Sequence, residues 1–241
     1  MRCSATYRPA PAPRARGHLW ICLLAAVALP CWGSDFSFDD ADLRNGRDIN
    51  ETCAACHGEF GGGGKEGEYP RLAGQPAGFL AQQLALFRDR TRTNLAMVES
   101  VDHRQMPDAD VIDISAYLAS LELPSKLPPV DEAAPDFNAY ERLLAAKQIV
   151  QIPRAEGDTA AGERLYKREC GSCHGPEGWG NERDSVPMLA GQYTNYLWRQ
   201  VDKYITRQRI HDPSDPEDDL LAQFTQEELR DIFAYLSIVD D

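Results

Sequence analysis

Downstream of residue 33, cysteine is confined to two pairs, Cys53 with Cys56 and Cys170 with Cys173. The other three of the seven cysteines precede that point, so none remains for a disulfide framework. The apolar run at 19–29 is shorter than the ~20 residues that cross a bilayer comfortably. Alternating strand patterns of useful length are also missing, which predicts an all-α fold.

Basic residues are in the minority, with 25 Lys and Arg against 38 Asp and Glu and a formal net charge of −13. A chain this acidic does not bind nucleic acid by neutralising phosphates. The charge suits docking against a basic surface of a partner protein, with long-range steering of the encounter. It equally suits solubility alone, and the sequence does not choose between these interpretations.

The first 33 residues have the layout of a secretory signal peptide: arginines, the apolar run at 19–29, then Pro30 and small residues around Gly33. We expect a mature chain that begins near Ser34 and lies in the periplasm, and loss of the four leader arginines moves its formal charge to −17. An uncleaved membrane anchor is one alternative. A lipid attached at Cys31 is another, which Pro30 disfavours.

The pattern C-x-x-C-H occurs twice, at 53–57 and 170–174, and it is the attachment motif of c-type haem. Two cysteines three residues apart lie on one helical turn and can each add to a haem vinyl group. The following imidazole then lies beneath the iron as its proximal ligand. The sequence therefore predicts two covalently bound haem c groups, each with its iron, held by Cys53, Cys56, His57, Cys170, Cys173 and His174.

A tandem duplication surrounds these motifs. Residues 117 positions apart are identical at 70, 72–75 and 80 and their counterparts 187, 189–192 and 197. A dithiol pair or a zinc site would explain one motif but not this shared context. We expect a signal peptide, two domains that each wrap round one haem, and a Pro-rich acidic linker with a short helix that packs on the second domain or the junction. The expected bounds are 1–33, 34–122, 123–155 for the linker and 156–241.

Each domain repeats one plan, with a helix expected after the Pro-x-Leu-Ala-Gly-Gln segment, over 77–88 and 194–206. The linker helix is expected over 137–150. A final helix closes each domain, and in the second domain Thr225 and Glu228 form a plausible capping box at its start.

The two C-x-x-C-H-G motifs, the Pro-x-Leu-Ala-Gly-Gln segments and the closing helices that end in Ala-Tyr resemble a tandem class I cytochrome c of the dihaem cytochrome c4 type. The resemblance covers nearly all of the mature chain. It implies that the carbonyls of Pro70 and Pro187 accept a hydrogen bond from the proximal histidines. It also implies that Leu72 and Leu189 pack on the haem face.

The sixth iron ligand in this family is a methionine between the middle and final helices, and Met97 lies there in the first domain. Met106 competes, but the duplication aligns it with Phe224, an apolar position before the last helix, which argues for core packing. His103 is a further alternative. Ligation by His and Met raises the reduction potential and suits an electron carrier.

The second domain departs from this pattern, because the duplication places Ser214 or Asp215 opposite Met97 and no methionine follows Met188. Met188 lies within the turn on the side that the proximal histidine occupies. The remaining donor on the expected side is His211. Two states of the second iron are therefore possible: ligation by His211, or a sixth position that is empty or holds water. In the second case His211 is an ordinary solvated loop histidine.

Four arginines after the middle helices also repeat at an offset of 117: Arg90, Arg92, Arg207 and Arg209. They suit bidentate pairing with haem propionates, and they equally suit favourable placement beyond a helix C-terminus.

The leading functional hypothesis is a periplasmic carrier of single electrons between respiratory-chain partners, such as membrane complexes, with no small-molecule substrate and no enzymatic activity. The alternatives are a dihaem enzyme or gas-binding protein with an open second iron, and a haem subunit docked permanently on a dehydrogenase.

Overall fold

A computed structural model describes residues 36–102, 106–212, 215 and 217–239. The predicted signal peptide, His103 and Ser214 lie outside these described residues. Within them the chain is helical, and its only extended pairings are isolated β-bridges, so the all-α prediction is confirmed. No helix in this described part is both long and apolar enough to cross a membrane.

The two halves repeat one order of elements, with α1 matching α6 and α7, α2 matching α8, and α4 matching α9. The helices are α1 (Leu43–His57), α2 (Ala77–Arg88), α3 (Leu95–Ser100), α4 (Asp108–Ala119), α5 (Ala139–Ala146), α6 (Thr159–Glu169), α7 (Gly171–His174), α8 (Thr194–Ile205) and α9 (Gln226–Leu236). Short 3-10 helices cover Lys65–Gly67 and Leu220–Gln223.

The predicted helices within the two halves agree with the structure to within a residue, and the capping box of Thr225 with Glu228 is present. The linker helix α5 is shorter than the predicted span, 137–150. None of its residues is buried, and Tyr140 and Leu143 are largely exposed. The expectation that this helix packs on the second domain or the junction is therefore wrong.

The first and last helices of each half cross closely. Asp42 caps α1 by accepting hydrogen bonds from Arg44 and Asn45, and its own backbone N–H donates to Asp113 on α4. Asp158 and Asp231 repeat the arrangement in the second half. At each crossing a glycine faces backbone: an added Cβ would lie 2.3 Å from the Asp113 carbonyl oxygen at Gly46 and 1.8 Å from that of Asp231 at Gly162.

Replacing Gly162 with alanine is expected to lower the free energy of unfolding by about 2–3 kcal/mol, the upper part of the overpacking range, because α6 and α9 must separate. This loss outweighs alanine's better helix propensity. Denaturant unfolding of the haem-loaded protein measures it. Arg164→Ala, at an exposed position of the same helix, is the control and should change stability by no more than about 0.5 kcal/mol. Equal stability of the two variants would contradict the close crossing.

Candidate functional site

The first C-x-x-C-H motif occupies the last turn of α1, where Cys53 and Cys56 are free thiols. The following loop returns along the helix end, so that His57 Nδ1 donates a hydrogen bond to the Pro70 carbonyl at 3.0 Å. This bond confirms the role expected of Pro70 and leaves Nε2 as the available ring nitrogen. Burial lowers the pKa of His57, against a smaller opposing effect of the Pro70 carbonyl, which favours the neutral imidazole that binds metals.

The second motif spans the break between α6 and α7, and again both cysteines are free. His174 Nδ1 donates to the Pro187 carbonyl at 2.9 Å, as expected. Burial lowers the pKa of His174, and the charge of nearby His211 acts in the same direction. Burial raises the pKa of the Cys170 thiol to about 11.

These residues fit covalent haem in both halves. Each half presents two cysteines three residues apart, within α1 in the first half and across the break between α6 and α7 in the second, followed at once by an imidazole whose Nδ1 is anchored. A carbonyl anchor on the non-ligating nitrogen fixes the tautomer and the ring plane, as is usual for metal-ligating histidines. Cys53, Cys56 and His57 would hold the first haem, and Cys170, Cys173 and His174 the second.

The two methionines of the first half have different environments. Met106 is buried, with 7% of its surface exposed, in a cluster with Ala81, Phe87 and Val111. Met97 lies on α3, half-buried at the edge of the same cluster. The structure thus supports core packing for Met106, whereas the ligand role of Met97 stays a prediction.

In the second half, the structure brings His211 next to the proximal histidine. The ring centres of His174 and His211 are 6.2 Å apart, with their planes inclined by 32°. His211 Nδ1 lies 2.7 Å from Asp218 Oδ2, and the ring of Tyr204 contacts His211 edge-on at 5.2 Å. Met188 is buried in the Pro-x-Leu-Ala-Gly-Gln segment, and its backbone N–H and carbonyl both bind the Gln75 side chain. The sequence patterns had not singled out Asp218.

Two glutamines of the Leu-Ala-Gly-Gln segments join the halves. Gln75 accepts a hydrogen bond from the Met188 N–H and donates one to the Met188 carbonyl, both at 2.9 Å. Gln192 pairs with the backbone of Arg71 in the same way, at 3.0 Å in each bond. In the other half, the residue that each glutamine binds directly follows the proline whose carbonyl accepts the hydrogen bond from the proximal histidine. The repeat flagged these positions, but nothing in it predicted that they pair across the halves.

A second symmetric cluster involves two of the four repeated arginines. Arg92 donates to Gln83 at 2.8 Å and to Gln200 at 3.2 Å, while Arg209 donates to Gln200 at 2.8 Å and to Gln83 at 2.9 Å. Both guanidinium groups also lie over aromatic rings, those of Phe87 and Tyr204. Arg92 and Arg209 thus pair with amides between the halves, which neither interpretation of the arginines had foreseen.

Comparisons with known proteins agree with this geometry. The family model for cytochrome c matches residues 43–122 and 159–240. The thiosulfate dehydrogenase electron acceptor of Stutzerimonas stutzeri is 31% identical over 188 residues, which cover 78% of this chain and 79% of that protein. Cytochrome c4 of Pseudomonas aeruginosa is 29% identical over 191 residues, covering 79% of this chain and 84% of its own.

Among solved structures, reduced recombinant cytochrome c4 from Pseudomonas stutzeri superposes with a TM-score of 0.61 at 21% identity, covering 82% of this chain and 98% of that one. This likeness shows a shared two-domain helical fold. With both attachment motifs intact, the chain belongs to the cytochrome c family, as an electron-transfer protein of the cytochrome c4 type with two covalent haem c groups.

Proposed function

We propose that the protein is an exported, periplasmic carrier that passes single electrons between respiratory redox partners and catalyses no bond chemistry itself. The observation that carries this proposal is the pair of reciprocal glutamine bonds between the halves. They hold Arg71 and Met188 in fixed positions, and these residues adjoin the prolines that anchor His57 and His174. Two redox sites are thereby built into one rigid unit, which suits internal electron transfer.

Each haem iron supplies reversible one-electron chemistry when bound. The protein's part is to keep the ligands still. Pro70 and Pro187 hold the proximal rings by their carbonyls, and the surrounding cores keep the segments that carry them buried. Ligands that move little between oxidation states lower the reorganisation energy of each electron transfer.

The partners we propose are redox proteins with a basic docking surface. The mature chain carries a formal charge of −17 if the leader is removed near Ser34, and such a charge steers encounters with a basic partner. A dehydrogenase or a quinol-oxidising membrane complex would donate electrons, and a terminal oxidase or reductase would accept them. A thiosulfate dehydrogenase is the first donor to test, because two relatives are named as its electron acceptor.

The oxidised, haem-loaded protein should stay oxidised with thiosulfate alone and should take up two electrons per chain when a thiosulfate dehydrogenase is added. Stopped-flow absorbance measures both reactions, and raising the salt concentration should slow the second by screening the charge attraction. A second experiment replaces the thiosulfate dehydrogenase and thiosulfate with a quinol-oxidising complex and quinol, and measures the same reduction. If the protein is reduced in neither experiment, the proposed partners are wrong. Sustained turnover of thiosulfate by the chain alone, with ferricyanide as acceptor, would overturn the carrier role.

A further inference from the structure

The second haem site differs from the first on the side opposite its proximal histidine. We propose that His211 is the sixth ligand of the second haem iron, through Nε2, and that Asp218 is the positioning residue that fixes this imidazole. The proposal rests on the dihaem carrier assigned above. It makes the two haems chemically unequal within one chain.

The separation of the two rings is the first argument. Metal–imidazole bonds are about 2.0–2.1 Å long, so a metal between two imidazoles holds their nitrogens about 4 Å apart and their ring centres about 2 Å further. The ring centres of His174 and His211 are 6.2 Å apart. The observed separation of the ring centres matches that expected for one iron held between the two imidazoles.

Hydrogen bonding gives an independent argument. The Nδ1 atoms of His174 and His211 are both taken, by the Pro187 carbonyl at 2.9 Å and by Asp218 Oδ2 at 2.7 Å. Nε2 is thus the nitrogen left on each ring. A ligating histidine commonly donates its other N–H to a carbonyl or a carboxylate, and this site has one of each.

Asp218 is itself held in place. Its second oxygen, Oδ1, accepts a hydrogen bond from the backbone N–H of Leu220 at 2.9 Å, at the start of the 3-10 helix. The side chains of His211 and Asp218 retain only 26% and 22% exposure. The low exposure and the anchored carboxylate partner distinguish His211 from a loop histidine that is surrounded by solvent.

The ligand set has a functional consequence. Imidazole stabilises ferric iron better than a thioether does, and a carboxylate partner makes the imidazole a stronger donor. The second haem should therefore have the lower reduction potential of the two. A single electron on the protein would then rest on the first haem.

The decisive experiment compares His211→Met and His211→Ala with wild type in the full, haem-loaded protein. The wild-type second haem should be low-spin, without the weak far-red band of methionine-ligated ferric haem, and should bind no carbon monoxide when reduced. His211→Ala should make it high-spin, with uptake of one carbon monoxide per chain, and added imidazole should restore the low-spin spectrum. His211→Met should add a far-red band and raise the potential of this haem alone.

Gln208→Ala is the matched control, because Gln208 lies exposed in the same loop and its backbone N–H donates to the Lys203 carbonyl at 2.8 Å. It should leave the spectrum and both potentials unchanged. Carbon monoxide binding by the wild-type second haem would overturn the proposal. So would an unchanged spectrum in His211→Ala, or a wild-type far-red band with the intensity of two methionine-ligated haems.

Asp218→Ala tests the positioning role. The second haem should keep its attachment while its potential rises and part of it becomes high-spin, and Asp218→Glu should restore the wild-type values by returning a carboxylate. Asp219→Ala is the control, since the Asp219 carboxylate binds Gln223 rather than His211. Equal potentials in Asp218→Ala and Asp219→Ala would remove Asp218 from the site.

These results are separable from the carrier function. Mass spectrometry of each variant first counts the attached haems, and a wild-type chain with fewer than two would undermine the carrier itself. Suppose that two haems are attached and two electrons are taken up, but His211→Ala leaves the spectrum of the second haem unchanged. The carrier function is then retained, and only the assignment of His211 as ligand is wrong.

Discussion

Replacing His57 with alanine is expected to abolish the low-spin spectrum of the first haem and leave that of the second intact. His57 is buried, at 7% exposure, and its Nδ1 is anchored to Pro70, so its Nε2 is the nitrogen left for iron. Loss of the imidazole removes a strong-field ligand and leaves the Pro70 carbonyl without its donor. Electronic absorption and magnetic resonance spectra of the ferric protein measure the spin state of each haem.

His174→Ala is the matched variant and should have the mirror effect, on the second haem alone, because His174 is bound to Pro187 in the same way. Added imidazole should partly restore the low-spin spectrum in each variant, which distinguishes a lost ligand from a misfolded half. The mass of each variant reports haem attachment. A native low-spin spectrum of the first haem in His57→Ala would contradict its role as proximal ligand.

Replacing Met97 with alanine is expected to remove the far-red band of the first haem and to lower its reduction potential by an amount on the order of 100 mV, a fraction of the ~0.8 V that axial ligands span. A thioether favours ferrous iron, so its loss favours the ferric state. Met97 lies half-buried on the short helix α3, at the edge of the core cluster rather than within it. Spectroelectrochemical titration of both haems measures the change.

Met106→Leu is the control, because Met106 is buried in that cluster and the substitution roughly conserves side-chain volume. It should keep the far-red band and change stability by less than about 1.5 kcal/mol. The opposite pair of results, a lost band in Met106→Leu and a retained one in Met97→Ala, would show that the halves were misaligned in this loop.

The attachment residues could be predicted from sequence because their chemistry is local. Cys53, Cys56 and His57 lie within one helical turn, and Cys170, Cys173 and His174 repeat that spacing. The start of the closing helix of the second half was predictable for a similar reason, since the capping box of Thr225 and Glu228 acts over neighbouring residues. The anchoring roles of Pro70 and Pro187 came from family resemblance, and the structure confirms them.

The contacts between the halves could not be predicted, because they join residues more than 100 positions apart. The sequence showed that Arg92 and Arg209 repeat, but not that they face Gln83 and Gln200 across the two halves. The predicted linker helix was longer than α5, and the structure leaves its Tyr140 and Leu143 exposed.

The sequence by itself determined that this chain carries two haems, because the covalent chemistry needs only a five-residue pattern, and that the second half lacks the methionine of the first. Tertiary structure alone shows which of the candidate residues lies beside the proximal histidine. Only the folded chain places the ring centre of His211 6.2 Å from that of His174 and brings Asp218 to its Nδ1. The physical reason is that a sixth ligand must approach from the far side of the proximal ring, and the distance between two loops is set by the packing of the helices that carry them.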